Sequence, residues 1–311
     1  MDEIIIDKGC GLDVHKETVV ACVMGSGIKK EIRTFSTMTE DLFRLKSWLS
    51  EHGITHVAME STGPYWKPVF NILEDSFDVI LANARHIKNV PGRKTDVKDS
   101  EWICKLLRSG LLAASFVPPR AIRELRDLTR YRQKLTQAIS SEKNRIQKVL
   151  EDANVKISSV VSDTFGVSAS RMIEAIMAGT FDTESISDLA VGTLKRKKEE
   201  LKKALVGNFH AHHRLMIKAS LDHIASLEKI IAGLDEEINL KLKAYHQECE
   251  LLQTIPGVKK QSAASIIAEI GTDMDKFPSE GHLSTWAGIS PGNNESAGKK
   301  KAEGRPMAIR T

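Results

Sequence analysis

Hydrophobic residues recur along this chain with two different periods, and the change of period divides it. Up to about residue 117 the apolar positions come in short β-branched or alternating runs, separated by turns that contain Gly or Pro. Residues 10–16 lead into Thr18-Val19-Val20-Ala21-Cys22-Val23-Met24, then Gly25-Ser26-Gly27, which predicts a strand, a turn and a second strand. Glu31-Ile32-Arg33-Thr34-Phe35-Ser36 alternates as a third. Residues 39–52 switch to helical spacing at Leu42, Leu45 and Leu49. A short apolar strand, His56-Val57-Ala58-Met59-Glu60, ends in an acid, and Pro64 suits the first turn of a helix running to Asp75. Residues 77–82 give another strand, and 96–109 a helix with Trp102, Ile103, Leu106 and Leu107 on its inner side. Three strands followed by alternating helices and strands predict a mixed sheet with helices on its faces.

Pro118-Pro119 continues neither helix nor sheet and marks a boundary. Beyond it the period is helical. Leu135, Ile139, Ile146, Val149 and Leu150 give Arg120–Asp152 an apolar side, and residues 163–194 break into short helices around Gly166, Gly179 and Gly192. Ile217, Ile224, Ile231, Ile238 and Tyr245 then recur every seventh residue, with Leu227 and Leu234 at the intervening seam position. Such a seam packs against another helix, either in a second copy or antiparallel in the same chain. Dimerisation is the expectation here. Thr254-Ile255-Pro256-Gly257-Val258, before an apolar helix over 263–270, is similar to a helix-hairpin-helix turn, in which backbone N–H groups at a helix N-terminus face a phosphate.

Composition adds limits. At 311 residues the chain can bury more than one core, and its formal net charge of +4 is only mildly basic. Its four cysteines form no C-x-x-C pair, which excludes a zinc ribbon or disulfide scaffold and predicts a reducing, cytoplasmic setting. No signal pattern opens the sequence, and no apolar run approaches the roughly 20 residues a membrane helix needs, so no membrane partner is expected.

The candidate chemistry is carboxylate. Asp96 and Asp99 stand three residues apart, on one face of a helix start, among Arg93, Lys94 and Lys98. Cations that would repel a metal welcome a phosphate, and a site holding both wants this mixture. Taken alone, the pair reads as a capped helix start before it reads as an active site. Asp13 lies near the end of the first strand and Glu60 closes the fourth. Each alone is a solvated strand-end charge; all four together could form one cluster whose repulsion a divalent metal relieves. Arg123, Arg126 and Arg130 share a helical face that suits a phosphate backbone, or simply water. His210, His212 and His213 are metal-ligand types, but no cysteine or carboxylate stands at ligand spacing, so a polar helix surface is expected there.

Three stretches carry a resemblance: Gly11-Leu12-Asp13-Val14-His15-Lys16, Met59-Glu60-Ser61-Thr62-Gly63-Pro64-Tyr65-Trp66 and Arg93-Lys94-Thr95-Asp96-Val97-Lys98-Asp99-Ser100. In order and spacing they are similar to the DEDD transposases of insertion sequences, in the IS110 family and more narrowly its IS eleven-eleven subgroup. Residues 285–301, Thr285-Trp286-Ala287-Gly288 through Lys299-Lys300-Lys301, look like the second domain of that family. The resemblance implies an α/β plus α architecture. Residues 1–117 would be an RNase H-like (RuvC-type) catalytic domain and 118–250 a helical coiled-coil spacer and dimerisation region. Residues 251–311 would be a small helical transposase domain with the hairpin-like turn and a serine loop.

The resemblance further implies that Asp13, Glu60, Asp96 and Asp99 bind Mg²⁺ (or Mn²⁺). Ser296 matches the family's nucleophilic serine, with Ser290 as runner-up beside Pro291. It also implies double-stranded DNA as substrate, a structured non-coding RNA as guide, and a homodimer or higher homo-oligomer. Arg93, Lys94, Lys98, Arg123, Arg126, Arg130, Gly257, Lys299, Lys300 and Lys301 are the candidate nucleic-acid contacts. After Lys301 the sequence departs from the family pattern, so its second domain is expected to be shortened. The expected function is a transposase that cuts and rejoins DNA with a serine nucleophile. A metal-dependent junction nuclease using water is one alternative, and a non-catalytic nucleic-acid-binding remnant is another.

Overall fold

The computed structural model describes residues 5–61, 63–84, 87, 98–180 and 182–289, and the backbone of 295–296 and 299–300. The chain divides into two compact units, Met1–Val117 and Pro118–Thr311.

The first unit is a five-stranded mixed sheet. Its strands are β1 (Gly9–Val14), β2 (Thr18–Gly25), β3 (Ile28–Ser36), β4 (His56–Glu60) and β5 (Asp78–Ala82), in spatial order β3-β2-β1-β4-β5. β1, β4 and β5 run parallel, while β2 and β3 form an antiparallel meander on β1. Alternation decides which side chains point where. Cys10, Leu12, Val57, Met59 and Leu81 face a core shared with α1 (Thr39–Glu51) and α2 (Trp66–Leu73), which contribute Leu42, Leu45, Trp48, Leu49, Val69, Phe70 and Leu73. Ala58 and Ala82 point the other way, against Trp102, Ile103, Leu106 and Leu107 of α3 (Asp99–Arg108). Small residues on that second face let α3 lie close to the sheet. The result is a mixed sheet with helices on both sides, consistent with an RNase H-like domain.

The second unit is helical among its described residues apart from one short ribbon. Its helices are α4 (Arg120–Asp152), α5 (Val167–Met177), α6 (Thr183–Ser187), α7 (Lys198–Leu205), α8 (Ala211–Leu242), α9 (His246–Gln253), α10 (Lys260–Ile270) and α11 (Glu280–Trp286). The ribbon pairs Glu295–Ser296 with Lys299–Lys300. α4 and α8 form a long antiparallel hairpin. The cross-links fix its direction: Asp152 meets His213, Glu142 meets His223, Arg132 meets Asp235 and Glu124 meets Lys241, so numbers fall on one helix as they rise on the other.

The seam expected to drive dimerisation is therefore occupied within the chain. Ile217 and Ile224 are buried with Ile146, Val149 and Leu150, and Ile238 is buried with Ile122 and Leu125. A heptad seam states that a helix packs here but not which helix, and α4 takes that place. The seam carries no argument for a second copy. No helix among the described residues is long and apolar enough to cross a membrane.

Candidate active site: an acidic sheet edge beneath a helix start

One glycine sets the geometry. A Cβ on Gly11 would stand 2.2 Å from the carbonyl oxygen of Ser100 and 2.4 Å from the amide nitrogen of Cys104, so α3 rests directly on the backbone of β1. A Cβ on Gly9 would meet Leu107 at 3.1 Å. Going up β1 from Gly9 to Gly11 thus moves down α3 from Leu107 towards Ser100: the helix runs antiparallel to the strand. Two more residues along β1, about 7 Å, is Asp13, on the same face as both glycines. It therefore lies at the N-terminal end of α3, where Asp99 is the first helical residue.

Glu60 joins them from the neighbouring strand. β1 and β4 are parallel with Leu12 opposite Met59, so the next residues, Asp13 and Glu60, end adjacent strands about 4.8 Å apart. Glu60 shares the alternation of Ala58, which faces α3. Asp13, Glu60 and Asp99 are thus gathered at the carboxyl ends of parallel strands, where α/β sheets present their functional groups.

The electrostatics agree. Asp13 is half-buried, and its carboxyl is pushed above the ordinary carboxylate range, first by loss of hydration and then by the negative charges of Asp99 and Glu60. His15 opposes the shift, with its Nε2 3.1 Å from Asp13 Oδ2. Like charges brought together on a rigid sheet edge and helix start form a site that a divalent cation would relieve, and an all-oxygen donor set suits Mg²⁺ or Mn²⁺. Lys98 is exposed at the N-cap of α3, beside these acids. Asp96, Arg93 and Lys94 lie outside the described residues.

The other expected contacts divide. Arg126 donates from Nε to the carbonyl of Ala268 at 2.9 Å and from Nη2 to that of Glu269 at 2.7 Å. These carbonyls belong to the last turn of α10, where the helix leaves its acceptors unsatisfied, so Arg126 caps α10. Arg130 grips the Glu269 carboxylate with two bonds, 2.6 and 2.8 Å. Both guanidinium groups are largely buried, and their cationic face closes the fold of this unit instead of facing water. Arg123 donates to the carbonyl of Pro118 at 2.9 Å.

Gly257 does sit in an open turn. The amide of Val258 donates to the carbonyl of Ile255 at 3.0 Å, and Gly257 has φ +87°, the left-handed value that position needs with Pro256 before it. α10 begins three residues after Gly257, at Lys260, and no side chain caps its first amides. In the two-stranded ribbon the backbone of Ser296 stands opposite that of Lys299, and that of Glu295 opposite that of Lys300. Lys301 and Ser290 lie outside the described residues.

The sequence reasoning missed one grouping. Among the described residues, Asp152, His212 and His213 bring one ligand-type atom each to within 4.8 Å of one another. The carboxylate that spacing along the chain could not supply comes from the far end of α4.

Two family models match the chain. Residues 10–155 match the model of a DEDD transposase family of the IS110 type, described as Transposase. Residues 249–309 match a second model, described as the Transposase IS116/IS110/IS902 family. No curated protein matches the chain closely enough to count as a relative. The first match runs from the first strand through the acidic edge and on through α4, and the second covers the hairpin-like turn, α10, α11 and the serine ribbon. Divalent-metal dependence and action on DNA follow from that membership. The chain belongs to the IS110 family of DEDD transposases.

Proposed function

We propose that this transposase cleaves and rejoins DNA strands through a phosphoserine intermediate, with Asp13, Glu60, Asp96 and Asp99 as its acidic centre and Ser296 as its nucleophile. The observation that carries the reading is the convergence of Asp13, Glu60 and Asp99 on one sheet edge, with the Asp13 carboxyl pushed up first by loss of hydration and then by the charges of Asp99 and Glu60. Mg²⁺ (or Mn²⁺) held by these carboxylates would polarise the scissile phosphate and stabilise the departing oxygen.

The chain's own groups do the rest. His15 orients the Asp13 carboxylate. Lys98, exposed at the mouth of the cluster, attracts the DNA phosphate. The Ser296 hydroxyl would give up its proton as its oxygen attacks phosphorus, while the bond from phosphorus to one sugar oxygen breaks and that oxygen takes up a proton as it leaves. In rejoining, a sugar hydroxyl attacks the phosphoserine and Ser296 leaves, so the phosphodiester is conserved without an external energy source. Lys299, Lys300 and Lys301, with the turn at Gly257, are the proposed contacts to double-stranded DNA and to a structured guide RNA. Three domains, at 1–117, 118–250 and 251–311, would divide these tasks. A homodimer or higher oligomer would engage the several strands that recombination exchanges, in a reducing cytoplasm, and the IS eleven-eleven subgroup is the proposed placement.

Trapping tests the serine step. In Mg²⁺, denatured reactions of the wild-type protein with its DNA should contain a covalent protein–DNA adduct, and Ser296→Ala should abolish both adduct and rejoining. Cleavage that proceeds unchanged in Ser296→Ala would favour the junction-nuclease reading, with water as nucleophile.

A further inference from the structure

We propose that Asp152, His212 and His213 form a second metal site, of the zinc class, that ties the C-terminal end of α4 to the N-terminal start of α8. Their donor atoms all lie within 4.8 Å of one another, whereas donors of a tetrahedral zinc site stand roughly 3.3 Å apart, given bonds near 2.05 Å. The two exposed side chains, Asp152 and His212, would turn to close that difference. Two imidazoles and one carboxylate are a borderline donor set, suited to Zn²⁺ and poorly suited to Mg²⁺ or Ca²⁺, which demand oxygen. This set is thus chemically distinct from the all-carboxylate edge of the first unit.

The surroundings are organised for such a role. His213 is 3% exposed, so its ring cannot turn away into water. Its Nδ1 accepts the backbone N–H of His210 at 3.0 Å, which places its proton on Nε2, 2.9 Å from Asp152 Oδ2. A metal bound at Nε2 would replace that proton and sit to one side of the line between ring and carboxylate, with the two donor atoms opening from 2.9 Å to roughly 3.3 Å. The proton passes to Nδ1, and the single hydrogen bond to His210 is given up. His212 and Asp152 are exposed and approach from the solvent side, leaving an entry path and a fourth position open to water. The imidazole of His212 lies 3.8 Å from that of His213, centroid to centroid, and His210 stacks 5.7 Å from His213.

The consequence is mechanical. Between Asp152 and His212 the chain passes through α5, α6 and α7, whose apolar residues share one core with Ile146, Val149 and Ile217. A metal bridging the two helix ends closes that sub-core at its open end and stabilises it by an amount linked to metal concentration.

The test uses the full-length chain without an added histidine tag, stripped of metal and kept in excess Mg²⁺ so that the carboxylate edge is occupied. Zn²⁺ is titrated in competition with a chromophoric chelator. A single zinc per chain with sub-micromolar affinity is expected, and zinc should raise the unfolding temperature. His212→Ala and Asp152→Asn, both at exposed positions that leave the core intact, should each weaken zinc binding by roughly a hundredfold and remove the thermal shift. Co²⁺ in the same site should show the visible absorption of a tetrahedral ion, lost in both variants. Zinc affinity unchanged in both variants, or no zinc retained by the wild type against the chelator, would overturn the site and leave the cluster as a polar cap on α8.

Discussion

Charge is gathered in two places in this molecule, and the two follow opposite rules. On the edge of the sheet, Asp13, Glu60 and Asp99 share one face, and loss of hydration together with the charges of the other two raises the Asp13 carboxyl. Along the α4–α8 hairpin and at the end of α10, acids meet bases: Arg132 with Asp235, Lys241 with Glu124, Arg130 with Glu269. Paired charges hold elements in register. Like charges held together by a rigid frame weaken the fold locally and persist where function requires them. In the sequence the two groups look alike, and the basic face of α4 is the more conspicuous of the two.

The largest effect expected from breaking this contrast is on chemistry. Asp99→Asn should reduce Mg²⁺-dependent strand cleavage by roughly a thousandfold or more, while circular dichroism and the unfolding temperature stay near wild type. Removing Mg²⁺ with a chelator should do the same to the wild-type protein. Next comes the frame itself. Gly11→Ala would drive a methyl into the backbone of α3, and should cost about 3 kcal/mol in urea unfolding, because neither Ser100 nor Cys104 can yield without lifting the helix.

Those two residues also show where sequence reading ran out. The alternation of β2 and β3, the helical spacing of Leu42, Leu45 and Leu49, and the break at Pro118-Pro119 were all legible, because burial on one face leaves a periodic trace. The helix expected from Asp96 is seen to start at Asp99, with Lys98 at its N-cap. Gly11 was legible only as part of a motif; its close contact with Ser100 and Cys104 joins residues some ninety positions apart, and spacing along a chain cannot show that. The same holds for Arg130 with Glu269 and for Asp152 with His213. Long-range ion pairs leave no periodic trace, so the arginines on α4 looked like a phosphate surface and the histidines on α8 looked incomplete. The heptad of isoleucines announced a packing seam, but a seam is equally well filled by the same chain.

Two smaller effects sharpen the contrast further. Glu269→Ala leaves two guanidinium groups without their carboxylate and should cost about 2 kcal/mol. By contrast, Arg130→Gln should destabilise the second unit while leaving the salt dependence of DNA binding unchanged, since that guanidinium is not offered to phosphate. A fall of about one in the slope of log affinity against log salt would restore Arg130 as a DNA contact. The smallest effect concerns pH. Because the folded pKa of Asp13 lies above its unfolded value, its contribution favours the fold at acid pH and is lost as pH rises through the raised value. The difference in urea midpoint between wild type and Asp13→Asn should therefore shift in favour of the variant on going from about pH 4 to pH 7. Added Mg²⁺ should close that gap for the wild type alone.

The central claim, that the acidic sheet edge is a metal centre, is tested most directly by metal binding itself. Mn²⁺ is titrated into the metal-free, full-length protein and the bound ion is followed by electron paramagnetic resonance. The account predicts saturable Mn²⁺ binding that is lost in Asp13→Asn and in Asp99→Asn, and kept in Glu269→Ala. Equal Mn²⁺ binding by the wild type and both aspartate variants would contradict it.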